Sequence, residues 1–78
     1  MEKRIPLTDL REGHSGIVKS INAGRMATKR LMDLGLIPET RIKILRKSLF
    51  EGPVEIEVRG SKLVIGRGLA AKILVESI

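Results

Sequence analysis

At 78 residues this chain can build one small domain, and without cysteine it has no disulfide, zinc ribbon or thiolate iron site to hold it. Fifteen Lys and Arg against nine Asp and Glu give a net charge of +6, which favours an acidic protein, a nucleic acid or an anionic membrane surface as partner. The single aromatic, Phe50, cannot supply the stacking platform of a single-strand nucleic-acid binder or the aromatic groove that holds proline-rich peptides.

The opening Met1-Glu2-Lys3-Arg4 is basic but leads into no apolar run, so no signal peptide is expected. No stretch approaches the roughly 20 apolar residues of a membrane span. A soluble, cytosolic protein is the expectation. Leu7 to Gly13 reads as a lead-in, with Leu7 and Leu10 as core anchors and a turn at Gly13. Ser15 to Asn22 reads as a strand with Ile17 and Ile21 on one face and Val18 on the other. Asn22-Ala23-Gly24 turns into a helix over Arg25 to Leu34. Ala27, Leu31 and Leu34 make its buried stripe, leaving Arg25, Lys29 and Arg30 outside it. Gly35 is placed to close the helix in the left-handed conformation, and Pro38 blocks a return to helix.

Thr40 to Ser48 reads as a strand with Ile42 and Ile44 inward and Arg41 and Lys43 outward. Leu45 breaks the alternation and predicts a bulge or a strand covered on both faces. Ser48 to Pro53 is a loop. Val54-Glu55-Ile56-Glu57-Val58 is the cleanest alternation in the chain, a half-buried strand. Arg59-Gly60-Ser61-Lys62 reads as a tight hairpin with glycine first, as a type II′ turn requires. Leu63-Val64-Ile65 returns, Gly66 to Ala71 is a turn with room for one helical turn, and Ile73-Leu74-Val75 is the last strand.

Five or six short strands joined by tight turns point to a mainly β single domain over 1–78, closed into a barrel that removes its edges. Its expected core includes Val18, Ile21, Leu31, Leu34, Ile42, Ile44, Val54, Ile56, Val58, Leu63 and Ile73.

Three ordered blocks resemble the ferrous iron transport protein A (FeoA) family over about residues 5–76. The first is Leu7, Leu10, Gly13, Gly16, Val18 and Ile21. The second is Arg30-Leu31-Met32-Asp33-Leu34-Gly35-Leu36-Ile37-Pro38. The third is Gly52-Pro53-Val54-Glu55-Ile56, Arg59-Gly60-Ser61, Ala70 and Ile73-Leu74-Val75. Glu39 stands where the family pattern has glycine, so a type I turn, free of positive φ, is expected there. Leu49-Phe50 replaces a proline-containing loop tip, and Gly66 and Gly68 bracket Arg67 where the family starts a short helix.

The resemblance implies a small SH3-like β-barrel of five or six strands with one short α-helix, and an accessory role in ferrous iron uptake. Proteins of this family are thought to act on the cytosolic GTPase region of the membrane iron transporter, FeoB. Similar domains form the C-terminal part of metal-dependent repressors. The resemblance therefore raises a transition metal, Fe2+ or Mn2+, as a ligand to be tested.

The residues themselves supply little for a metal. His14, the one histidine, lies between Gly13 and Ser15 in an exposed turn and reads as a solvated loop residue. Glu55 and Glu57 share a strand face and could share a hard cation. Cross-strand pairing with Arg41 and Lys43 accounts for them more simply. No P-loop is present, and no hydroxyl nucleophile has a base that the sequence places beside it. No catalytic or metal-ligating residue is assigned.

Arg25, Lys29, Arg30 and Met32 form the candidate partner-binding face, with charge setting on-rate and specificity toward an acidic surface. The function expected is an interaction module rather than an enzyme. The alternatives are a small basic nucleic-acid-binding barrel and a divalent-metal-sensing domain. Self-association into a weak homo-oligomer stays open.

Overall fold

The alternating segment Val54–Val58 is strand β4 of a six-stranded sheet, its valines and isoleucine buried and its glutamates turned outward. The computed structural model describes residues 3–48, 50 and 52–78. The other strands are β1 (Arg4–Pro6), β2 (Ser15–Ile21), β3 (Arg41–Lys47), β5 (Ser61–Ile65) and β6 (Ile73–Ser77). They lie in the order β1-β6-β2-β3-β4-β5, and every neighbouring pair is antiparallel. A 3-10 turn (Leu7–Asp9) follows β1, helix α1 (Arg25–Asp33) joins β2 to β3, and the four-residue α2 (Arg67–Ala70) joins β5 to β6. This is the mainly β, SH3-like arrangement expected.

The expected closure takes a different form. β1 and β5, the sheet's two ends, share no ladder among the described residues. Instead α2, which follows β5, packs against the 3-10 turn that follows β1. The inner face collects Val18, Ile42, Ile44, Ile56, Ile73 and Val75, and Leu7, Leu10, Leu31 and Leu36 seal it. Burial of each such side chain stabilises the fold by about 1.5–3 kcal/mol.

Two bulges set which residues reach that core. In β2 the register against β6 shifts between Val18 and Ser20. Lys19 is the extra residue, so Val18 and Ile21 both turn toward the core. Strict alternation had placed them on opposite faces. In β3 the register shifts between Ile44 and Arg46, so Leu45 is the bulged residue and is 40% exposed.

The helix end corrects the expected core. Gly35 (φ 103) closes α1 in the left-handed region. Its amide donates to the Met32 carbonyl at 2.9 Å, and the Leu36 amide donates to the Leu31 carbonyl at 3.0 Å. This pair of bonds is a Schellman motif, which brings the residue after the glycine back over the last helical turn. Leu36 is therefore fully buried, while Leu34, at the cap, is 49% exposed. Extending the helical stripe through Leu34 overlooked that reversal.

Two turns also differ from expectation. Val58 pairs with Ser61, leaving Arg59 (φ 52) and Gly60 (φ 78) as a two-residue loop. Positive φ at both positions makes it type I′ rather than II′. Glu39 has φ 72, so the Ile37–Thr40 turn places a positive φ at its third residue, as in type II and not type I. The Glu39 amide donates to the Val18 carbonyl at 2.7 Å, and its carboxylate accepts from Lys19 Nζ at 3.1 Å through each oxygen. These bonds hold a non-glycine residue where glycine is favoured.

Candidate protein-docking face

Helix α1 meets the barrel through Leu31, with Ala27 and Thr28 half-buried beside it. Arg25, Lys29, Arg30 and Met32 are all exposed. Arg25, Lys29 and Met32 are spaced four and three apart and share one strip. Arg30, one residue beyond Lys29, is turned about 100° away, onto the side of Met26. Met26 is 85% exposed and was overlooked in the sequence, although its place off the Ala27–Leu31 stripe marks it as outward-facing.

None of the three cations forms an ion pair among the described residues. Asp33, three and four residues beyond Arg30 and Lys29, pairs with neither of them there. No side chain caps α1 at Gly24, and no acidic residue lies in its first turn, where Arg25 sits. A cation at that end opposes the helix macrodipole, a local disadvantage of about 0.3–1 kcal/mol.

Other basic side chains are committed to the fold. Lys19 lies between Glu39 and Glu76, 3.1 Å and 3.9 Å from their Oε2 atoms. Lys47 Nζ donates to the Thr8 and Leu10 carbonyls, each at 2.9 Å, and pins the 3-10 turn to β3. The Arg67 guanidinium donates to the Gly52 and Ser48 carbonyls at 3.2 and 3.1 Å, anchoring both ends of the β3–β4 loop. Within that loop Leu49 and Glu51 lie outside the described residues, as do Met1 and Glu2, and Phe50 is 91% exposed.

Glu55 forms its ion pair with Lys62 at 3.1 Å, not with Arg41 or Lys43. Glu57 faces Lys43 across the β3–β4 ladder without an ion pair. Arg41, Lys43 and Arg59 instead border an open groove with Ser15, Thr40 and Glu57. This grouping was not visible in the sequence, because it depends on the register of three strands.

His14 is exposed, with its backbone engaged: its amide donates to Arg11 and its carbonyl accepts from Ile44. Among the described residues no three His, Cys, Asp or Glu side chains gather where a metal could sit. No helix of the described residues is long and apolar enough to cross a membrane.

The FeoA domain model matches residues 5–77. A Methanocaldococcus jannaschii chain named as an Fe(2+) transport protein A is 45% identical over 71 residues, covering 91% of this chain and 84% of its own. A crystal structure of an iron uptake regulatory protein, FeoA, superposes with TM-score 0.86 at 34% identity over 97% of this chain and 99% of that one. The solution structure of FeoA from Chlorobium tepidum gives TM-score 0.88 at 32% identity, over 95% of this chain and 70% of that one. A manganese-dependent transcriptional repressor contains the same fold over 44% of its chain, with TM-score 0.89 at 22% identity, a likeness of fold alone. A family-model match from residue 5 to residue 77, a relative at 45% identity and a fold shared at TM-score 0.86 make this chain a member of the FeoA family.

Proposed function

We propose that this protein is a cytoplasmic accessory module of ferrous iron uptake. It acts by docking on the cytosolic GTPase region of a membrane iron transporter of the FeoB kind and carries out no catalysis of its own. Family membership and the iron-transport name of a relative at 45% identity support the setting. The observation that carries the docking mode is the unpaired cationic surface of α1. Arg25, Lys29 and Arg30 make no ion pair among the described residues, and Met26 and Met32 stand exposed beside them. A cation placed against the helix dipole is a local inconsistency of the kind found at functional surfaces. The flexible methionines supply adaptable apolar contact.

The test is binding to the transporter's purified cytosolic region at two ionic strengths, for wild type and for Arg25→Glu/Lys29→Glu/Arg30→Glu. The variant should fold, since exposed charges contribute little to stability. It should associate more slowly, most visibly at low salt. Absence of wild-type binding overturns the partner. Equal association of both proteins at both salts overturns the helix as the docking face.

A further inference from the structure

The groove on the outer face of β2, β3 and β4 is a second cationic surface, built from residues other than those of α1. Arg41 and Lys43 rise from alternate positions of β3, on the side opposite the buried Ile42 and Ile44. Arg59 joins them from the β4–β5 turn, and Ser15 and Thr40 add hydroxyls. The one acid in the groove is Glu57. None of these four charged side chains forms an ion pair among the described residues. Three cations facing one acid leave an unneutralised positive field in a concave surface, where field lines concentrate.

Exposed apolar residues lie close in the chain to the groove's lining. Arg59 lies alongside the helix end: a Cβ on Gly35 would sit 3.7 Å from Arg59 Cδ. Leu34, the residue before Gly35, is 49% exposed. At the other end of the same segment, the Thr40 amide donates to the Ile37 carbonyl at 3.2 Å, and the Ile37 side chain is 37% exposed. Leu34 thus lies one residue from the glycine that Arg59 approaches, and Ile37 three residues before the groove-lining Thr40, so exposed apolar residues flank the groove's cations along the chain.

We infer that this groove, with those flanking residues, grips an acidic segment of a protein partner, one in which carboxylates are followed by apolar side chains. The inference rests on the reading of the chain as an interaction module and names the chemistry of the segment it holds. Carboxylates match Arg41, Lys43 and Arg59 in sign, and guanidinium groups take carboxylates in bidentate geometry. Apolar side chains of the same segment cover Leu34 and Ile37. A nucleic acid would leave those exposed apolar residues uncovered and would find no aromatic in the groove on which to stack a base. A second copy of this chain would bring +6 against +6.

The experiment uses the isolated full chain, labelled for amide NMR, and needs no transporter, so its outcome is independent of the partner proposed above. The probe is a synthetic peptide of glutamates followed by a leucine pair. Its glutamine counterpart and an oligothymidylate of matched charge are titrated in parallel. Saturable shifts are expected at the amides of Ser15, Thr40, Arg41, Lys43, Arg59 and Gly60. Affinity should fall about tenfold in Arg41→Gln/Lys43→Gln/Arg59→Asn, the sum expected of three partly exposed charge pairs. Asparagine is chosen at 59 because it accepts the positive φ of the turn. The helix variant Arg25→Gln/Lys29→Gln/Arg30→Gln should bind the peptide as wild type does. Shifts confined to α1, no saturable shifts, equal binding of the glutamine peptide, or tighter binding of the oligothymidylate would each overturn the inference.

Discussion

The Leu36 amide bonds the Leu31 carbonyl at 3.0 Å, and the two side chains bury together, at 0% and 2% exposure. This one closure fastens α1 to the barrel, and it reassigns the energetic weight of the Leu31–Leu36 segment. Leu36→Ala should destabilise the domain by about 2–5 kcal/mol, as large-to-small core substitutions do. Leu34→Ala should stay within about 0.5 kcal/mol of wild type, as for an exposed position. Urea unfolding of the two variants gives the comparison, and equal losses would contradict the motif.

Lys19 sits at the β2 bulge between two carboxylates, its side chain 15% exposed. Lys19→Met leaves Glu39 and Glu76 facing one another without the cation. A loss of roughly 1–3 kcal/mol is expected, the range for charged groups deprived of a hydrogen-bonding partner. Adding Glu39→Gln and Glu76→Gln should recover part of it. Chemical denaturation of the single and triple variants is the measurement.

Gly16 leaves no room for a side chain. A Cβ there would lie 3.0 Å from Leu10 Cδ1 and 3.2 Å from the Glu76 carbonyl oxygen. Gly16→Val should therefore destabilise the β2–β6 pairing by about 1–3 kcal/mol, the usual range for overpacking. Gly66→Ala, with open space around the added carbon, serves as control. The readout is the difference in melting temperature.

In the isolated chain, ferrous iron and manganese are expected to find no tight site, because His14 has no cluster of further donors among the described residues. Anaerobic calorimetric titration checks this. Saturable binding at low micromolar affinity, lost in His14→Ala or Glu55→Gln, would count against it.

Nucleic acid is expected to bind weakly and through charge alone. The one aromatic, Phe50, lies in the β3–β4 loop and does not line the basic groove. Filter binding should show affinity collapsing by roughly 200 mM salt, without sequence preference. Selective binding that survives that salt would restore the nucleic-acid alternative.

Much of this architecture is legible in residue patterns. The Val54–Val58 alternation marks β4 with its observed bounds, and the extra apolar residue Leu45 marks the β3 bulge. Three things escaped for physical reasons. β1 is three residues long and ends in Pro6, too short for any periodicity to show. Leu34 and Leu36 flank a left-handed glycine, where helical spacing no longer predicts which side chain turns inward. Glu39 adopts positive φ in a turn bonded to Val18 and Lys19, and Arg59 adopts it in the two-residue loop left by the β4–β5 register, neither of which local propensity encodes. The α1 cations could be read as outward-facing from spacing alone. The Arg41–Lys43–Arg59 groove needed the strand register, and without it Arg41 and Lys43 look like simple partners for Glu55 and Glu57.

The pairing of β1 with β6, Arg4 opposite Glu76, joins parts of the chain that are far apart in sequence. The β3–β4–β5 meander requires only neighbouring contacts and a two-residue turn. β6, by contrast, lies between β1 and β2 and finds both of its neighbours in the other half of the chain. Loop-closure entropy must be met before such distant contacts give any return. The meander is therefore the natural nucleus, and β6 is the keystone that is seated late. Substitutions in β6 should chiefly quicken unfolding, whereas those in β4 should slow folding.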